Sequence, residues 1–208
     1  MIRGLYGIAD AGAAGGDPER LGADLLAGGC RLLQLRAKDW SADDILICAR
    51  SLSHRCRAVG AVLIVNDWPE IAVAADAHGV HVGQLDQSAA DVRRIVGPNR
   101  IVGRSTGDIS QLGAAMQMAD YVAFGPVWPT QNAGRPKTVR SLHALAEIVR
   151  AVDGAMPVVA IGGIDEGRIP QVRATGVAAW AVIGAIASAG DPIAQTKRLI
   201  LAGRAPLP

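Results

Sequence analysis

Aromatic residues are nearly missing from this chain: phenylalanine, tryptophan and tyrosine together make up 3% of its 208 residues. A surface that stacks nucleobases needs several aromatic faces, so single-stranded nucleic acid is excluded as a main partner. A large excess of charge of one sign is lacking too. Twenty-one lysines and arginines stand against 19 aspartates and glutamates, a net charge of +2, and the basic residues are scattered. No nucleic-acid or membrane-surface partner is expected from such a balance. Only three cysteines occur, Cys30, Cys48 and Cys56. Their odd number and their spacing suit free thiols in a reducing cytoplasm better than a disulfide framework or a metal site. No apolar run has the length of a bilayer span. Gly176 to Ala189 is the most apolar later stretch, but it is short and rich in alanine, the pattern of a buried strand running into a helix. The opening MIRGLYGIAD has no long apolar core behind a basic start, so a cytoplasmic location is expected.

What is present is apolar and periodic. Half of the residues are hydrophobic, enough for one well-filled core and a single domain over residues 1–208. Strands are expected at Leu5–Asp10, Arg31–Arg36, Ala61–Val65, Gly79–Val82, Arg100–Gly103, Tyr121–Phe124, Val158–Ile161 and Ala178–Ile183. Helical pattern follows each of them. Asp17-Pro18, Ser41, Ser88 and Asp108 read as helix starts. Eight strand-helix units point to a closed (β/α)8 barrel of the TIM type. An open doubly wound sheet is the alternative, but no G-x-G-x-x-G follows the first strand.

The ends of these strands carry the polar chemistry. In RLLQLRAKD, alternation puts Leu33 and Leu35 on one face and Gln34, Arg36 and Lys38 on the other. Asn66 and Asp67 end the third strand, and Asp86 follows the fourth. Two carboxylates beside two cations form either a plain salt-bridge cluster or a site for one hard cation, and Mg²⁺ is held in this sparse way. Gly162-Gly163 and Ile183-Gly184 stand after strands seven and eight, where barrels often bind phosphate. The loop from Gly125 to about Val139 is long enough to cover a site. His78 and His81, three apart, fall on opposite faces of a strand, and His54 and His143 fall in helices. None of the four is assigned a catalytic role.

Taken in order, LYGIAD, QLRAKD, LIVND, GVHVGQLD, GRST, GPVWPT, VVAIGGI and VIGAI resemble the motifs of the thiamine-phosphate synthase and thiazole tautomerase family over nearly the whole chain. The resemblance implies a Mg²⁺-dependent enzyme that joins 4-amino-2-methyl-5-(diphosphooxymethyl)pyrimidine to thiazole phosphate and releases pyrophosphate. It implies that Gln34, Arg36, Lys38, Asn66 and Ser105 hold the pyrimidine diphosphate, Arg36 and Lys38 acting catalytically. Asp67 and Asp86 bind the metal, Thr130, Gly163, Ile183 and Gly184 hold the thiazole phosphate, and Asn132 binds substrate in place of a family threonine. A homodimer is implied as well. The family continues its sixth-strand motif as Pro-Thr-x-Thr-Lys, whereas this chain reads Pro129-Thr130-Gln131-Asn132-Ala133. Arg135 or Lys137 is the expected substitute for the missing cation. The tautomerase relatives place a histidine where Pro126 stands, which ranks that activity second. A barrel that binds phosphate ligands without catalysis is the third reading.

Overall fold

Strand periodicity divides the apolar residues between two cores. The computed structural model describes residues 2–131 and 138–206. Among these, β1 (Gly4–Asp10), β2 (Leu32–Arg36), β3 (Val62–Asn66), β4 (Gly79–Val82), β5 (Ile101–Thr106), β6 (Tyr121–Phe124), β7 (Val158–Ile161) and β8 (Ala179–Val182) close into one barrel in chain order. Every neighbouring pair is parallel, β8 pairing back onto β1. Closure removes the open-sheet alternative.

Residues on the inner face, among them Tyr6, Ile8, Leu32, Ile64, Tyr121 and Val159, fill the barrel. Their outward neighbours, among them Leu33, Leu35, Val65, Val80, Val102 and Val182, pack under the helices. Those helices are α1 (Pro18–Ala27), α2 (Ala42–Ala58), α3 (Pro69–Ala74), α4 (Ala89–Val96), α5 (Leu112–Met118), α6 (Leu142–Val152), α7 (Ile169–Ala174), α8 (Gly184–Ala187) and α9 (Pro192–Ala202). Asp17, Ser41, Ser88, Ser141 and Asp191 each accept a backbone N–H of the first turn, satisfying a donor that the helix cannot.

Two expectations need correction. Asp108 does not cap the next helix: a 3-10 turn, Ile109–Gln111, comes first, and the Asp108 carboxylate accepts from the Ser110 hydroxyl instead. Strand five continues to Thr106 rather than stopping at Gly103, which brings Ser105 onto the inner face opposite Ala123 of β6. The absence of a side chain at Gly103 is also structural. A Cβ there would overlap the ring of Tyr121, which fills the space across the barrel.

Candidate active site

The barrel opens at the C-terminal ends of its strands into a cavity of about 450 Å³. Gln34 and Arg36 line it, as the alternation along β2 requires, and Lys38 joins them from the turn that follows the strand. Arg36 donates through Nη1 to Asp10 Oδ2 across the β1–β2 register, where the two residues lie opposite each other. Asp10 also accepts the Ala13 N–H at 2.9 Å. Lys38 Nζ lies 3.5 Å from Asp67 Oδ2.

Asp67 and Asp86 come together, as expected from their places after β3 and β4. Burial and then the neighbouring Asp86 carboxylate raise the Asp67 carboxyl above the ordinary range, with Lys38 pulling the other way. Both acids are held by backbone. The Asp67 N–H donates to His81 O at 2.8 Å, with Asp67 itself at φ 66°, and Asp86 Oδ2 accepts the Gly83 N–H at 2.6 Å. Arg104 ties down the turn that carries Asp86, donating to Gln87 O and, at 3.2 Å, to Gln84 O. Asn66 lines the same wall.

The opposite wall is glycine-rich. Thr130, Gly163, Ile183 and Gly184 line it. Gly162 and Gly163 take φ of 104° and 63°, a conformation that L side chains avoid, and a Cβ on either would collide with the Pro126–Pro129 segment. Arg168 donates to the Gly163 carbonyl and stacks over Trp128 at 5.1 Å, fixing that peptide at the rim. Asn132, with Ala133, Arg135 and Lys137, falls outside the described residues.

Several residues in and behind the cavity were not anticipated. His81 faces the cavity, with Nδ1 3.0 Å from Tyr121 Oη and Nε2 3.0 Å from Ser105 Oγ. Tyr6 joins it from β1, and Asp10 anchors Arg36. The period-2 rule that singled out Gln34 also puts Tyr6, Asp10 and His81 on the inner face of their strands, and this was the signal available for them. His78 faces away, accepting the Leu63 N–H at 3.1 Å. Burial and then Arg57 hold its pKa below the ordinary value.

A closed parallel barrel whose mouth gathers two cations, a carboxylate pair and glycine turns defines a class: barrel enzymes that take phosphorylated small molecules. The chain belongs to the thiamine monophosphate synthase family, whose pattern it matches over residues 5–186. It is 41% identical over 174 residues to the thiamine-phosphate synthase of Laribacter hongkongensis, covering 84% of this chain and 82% of that protein. It is 38% identical over 198 residues to the thiamine-phosphate synthase of Methanocella arvoryzae, covering 94% and 92%. The thiamine phosphate pyrophosphorylase structure from Pyrococcus furiosus superposes with a TM-score of 0.88 at 31% identity, covering 98% of this chain and 96% of that one. The family is one of transferases of thiamine biosynthesis acting on small molecules.

Proposed function

We propose that this chain joins 4-amino-2-methyl-5-(diphosphooxymethyl)pyrimidine to thiazole phosphate with release of pyrophosphate, using Mg²⁺. The observation that carries the reading is the meeting of Asp67, Asp86 and Lys38 beside Arg36 at one side of the cavity. Gln34, Arg36, Lys38, Asn66 and Ser105 take the pyrimidine diphosphate. Thr130, Gly163, Ile183 and Gly184 take the thiazole phosphate. The carboxylate pair fits a hard divalent ion. Two oxygen-donor side chains that raise each other's energy when both are ionised are relieved by a cation between them. Mg²⁺ is commonly held by one or two carboxylates and completed by water and substrate phosphate, a demand that this pair can meet. Mg²⁺ held by Asp67 and Asp86 supplies charge that neutralises a diphosphate.

In the reaction the bond between the pyrimidine methylene carbon and the diphosphate oxygen breaks, its electron pair leaving with the oxygen. The lone pair of the thiazole nitrogen then closes on the methylene carbon. No proton moves in that bond exchange, so no general base is required. What the protein must do is stabilise the departing anion and keep water from the carbon. Arg36, preset by Asp10 and largely screened from water, and Lys38, half exposed at the rim, meet the anion, and the screened guanidinium acts the more strongly of the two. A single barrel domain over residues 1–208, a homodimer and a cytoplasmic setting belong to the same proposal, the last supported by three free buried thiols.

The test is pyrophosphate release from both substrates with Mg²⁺. Asp67→Ala is expected to lower the rate roughly a hundredfold or more, with the far-ultraviolet spectrum unchanged. Binding of both substrates with no product at any Mg²⁺ concentration overturns the proposal in favour of a non-catalytic barrel. Arg135→Ala and Lys137→Ala, assayed alongside, report whether either side chain replaces the cation missing at Ala133.

A further inference from the structure

Four hydrogen bonds cross the floor of the cavity in one line. Gln34 Nε2 donates to Tyr6 Oη at 2.8 Å, Tyr6 Oη lies 2.9 Å from Tyr121 Oη, Tyr121 Oη lies 3.0 Å from His81 Nδ1, and His81 Nε2 lies 3.0 Å from Ser105 Oγ. The line starts on β2 and ends on β5, and Gln34 and Ser105, its two ends, both face the cavity. Its middle is dry: Tyr6 and Tyr121 are almost wholly buried, and His81 is 8% exposed. The rings are also locked in place. Tyr6 meets Tyr121 edge-on, and His81 stacks on Tyr121 with centroids 5.5 Å apart.

Counting protons gives the line a direction. A phenol carries one proton to donate, and a neutral imidazole carries one N–H. Burial pushes both phenols above the ordinary range, so both keep their protons. Tyr6 accepts from Gln34, so its own proton goes to Tyr121, the other partner it has among the described residues. Tyr121 then donates to His81 Nδ1. The ring proton therefore sits on Nε2 and goes to Ser105, leaving the Ser105 hydroxyl proton for the cavity. Turning the Gln34 amide over, with Oε1 toward Tyr6, reverses each bond in turn. Ser105 then donates to His81 and offers the cavity only lone pairs.

We infer that Tyr6, Tyr121 and His81 are positioning residues that couple the amide orientation of Gln34 to the hydroxyl direction of Ser105. They thereby select a ligand that brings a hydrogen-bond donor to Gln34 and an anionic oxygen to Ser105. This rests on the proposed reaction. The 4-amino group of the pyrimidine donates to Gln34 Oε1, and the diphosphate accepts from Ser105. A 4-oxo ring needs Gln34 Nε2 turned toward it, and the coupling then removes the Ser105 donor from the anion. One wrong atom on the ring is penalised twice.

The decisive experiment follows the His81 ring by ¹⁵N NMR at pH 8 in histidine-labelled protein, with His81→Asn identifying its signals. With Mg²⁺ and inorganic pyrophosphate, the native protein is expected to carry the proton on Nε2. In Gln34→Glu the carboxylate can only accept from Tyr6, so the proton is expected on Nδ1. In Gln34→Glu combined with Tyr121→Phe the line is cut, and the Glu substitution is expected to have no effect on the tautomer. The same His81 tautomer in native protein and Gln34→Glu overturns the inference. In kinetics, Tyr121→Phe, or Tyr6→Phe should the first not fold, is expected to lower the preference for the amino over the oxo substrate by about tenfold or more. An unchanged preference overturns it as well. No turnover by the native protein counts against the proposed reaction, and the tautomer measurement still decides the coupling.

Discussion

Arg36 and Asp10 form an ion pair from which water is largely shut out, their side chains being 15% and 9% exposed. Asp10 therefore sets the place of the cation that the proposed reaction turns toward the diphosphate. Asp10→Ala leaves a buried guanidinium without its partner and releases the Ala13 N–H that the same carboxylate holds. The expected loss of stability is about 3 kcal/mol in urea unfolding. The rate of pyrophosphate release should fall on the order of a hundredfold, because a displaced catalytic group costs about that much. A normal rate in a destabilised protein would show that Arg36 orients itself without Asp10. At this scale much of the site was legible: alternation along β2 puts Gln34 and Arg36 into one cavity, and Lys38 reaches it from the turn that follows. Asp10 and His81 obey the same alternation, but their partners stand 26 and 40 residues away. Partnership across strands depends on register, which a single strand does not contain.

Helices α1 and α2 begin where their caps say they should. Asp17 accepts from Arg20 N and Ser41 from Asp44 N, local bonds that short sequence spacing determines. Asp108 has the right chemistry but not the role, because Thr106 and Gln111 organise that turn through Asp108 O and Gly107 N. The apolar face of α2 carries Cys48 and Cys56, and Cys30 lies at the start of the chain's return into β2. Burial, then Glu19, pushes the Cys48 thiol up to about 12, and burial, then Cys30, does the same for Cys56. Native protein at pH 8 is therefore expected to leave all three thiols unreacted with a disulfide reagent, while urea exposes all three. The pH dependence has a definite sign. A thiol whose pKa is raised on folding contributes its stability in full below the unfolded-chain value of 9.0, and this is lost as pH rises toward about 12, a span in which the unfolded chain ionises and the folded one does not. The urea midpoint should fall between pH 9 and pH 11, and substituting Cys48 and Cys56 by alanine should flatten that fall.

Across the whole molecule, one layer of side chains inside the barrel both closes the core and builds the floor of the site. The two tyrosines of this aromatic-poor chain are both spent there, and Gly103 makes room for one of them. Gly103→Ala is expected to push Tyr121 out of place, lowering stability by about 2 kcal/mol and weakening substrate selection. An unshifted unfolding midpoint would mean the floor has slack. The number of strands, their parallel order and the wealth of polar groups at their C-terminal ends were determined by the sequence itself, because side-chain alternation and helix capping are local and repeat over a few residues. Only the tertiary structure decided which groups meet: Arg36 with Asp10, Lys38 with Asp67, and Gln34 with Ser105 through two tyrosines and a histidine. Closing a barrel fixes the stagger between strands, and that stagger, which no stretch of chain carries alone, sets the distances across it.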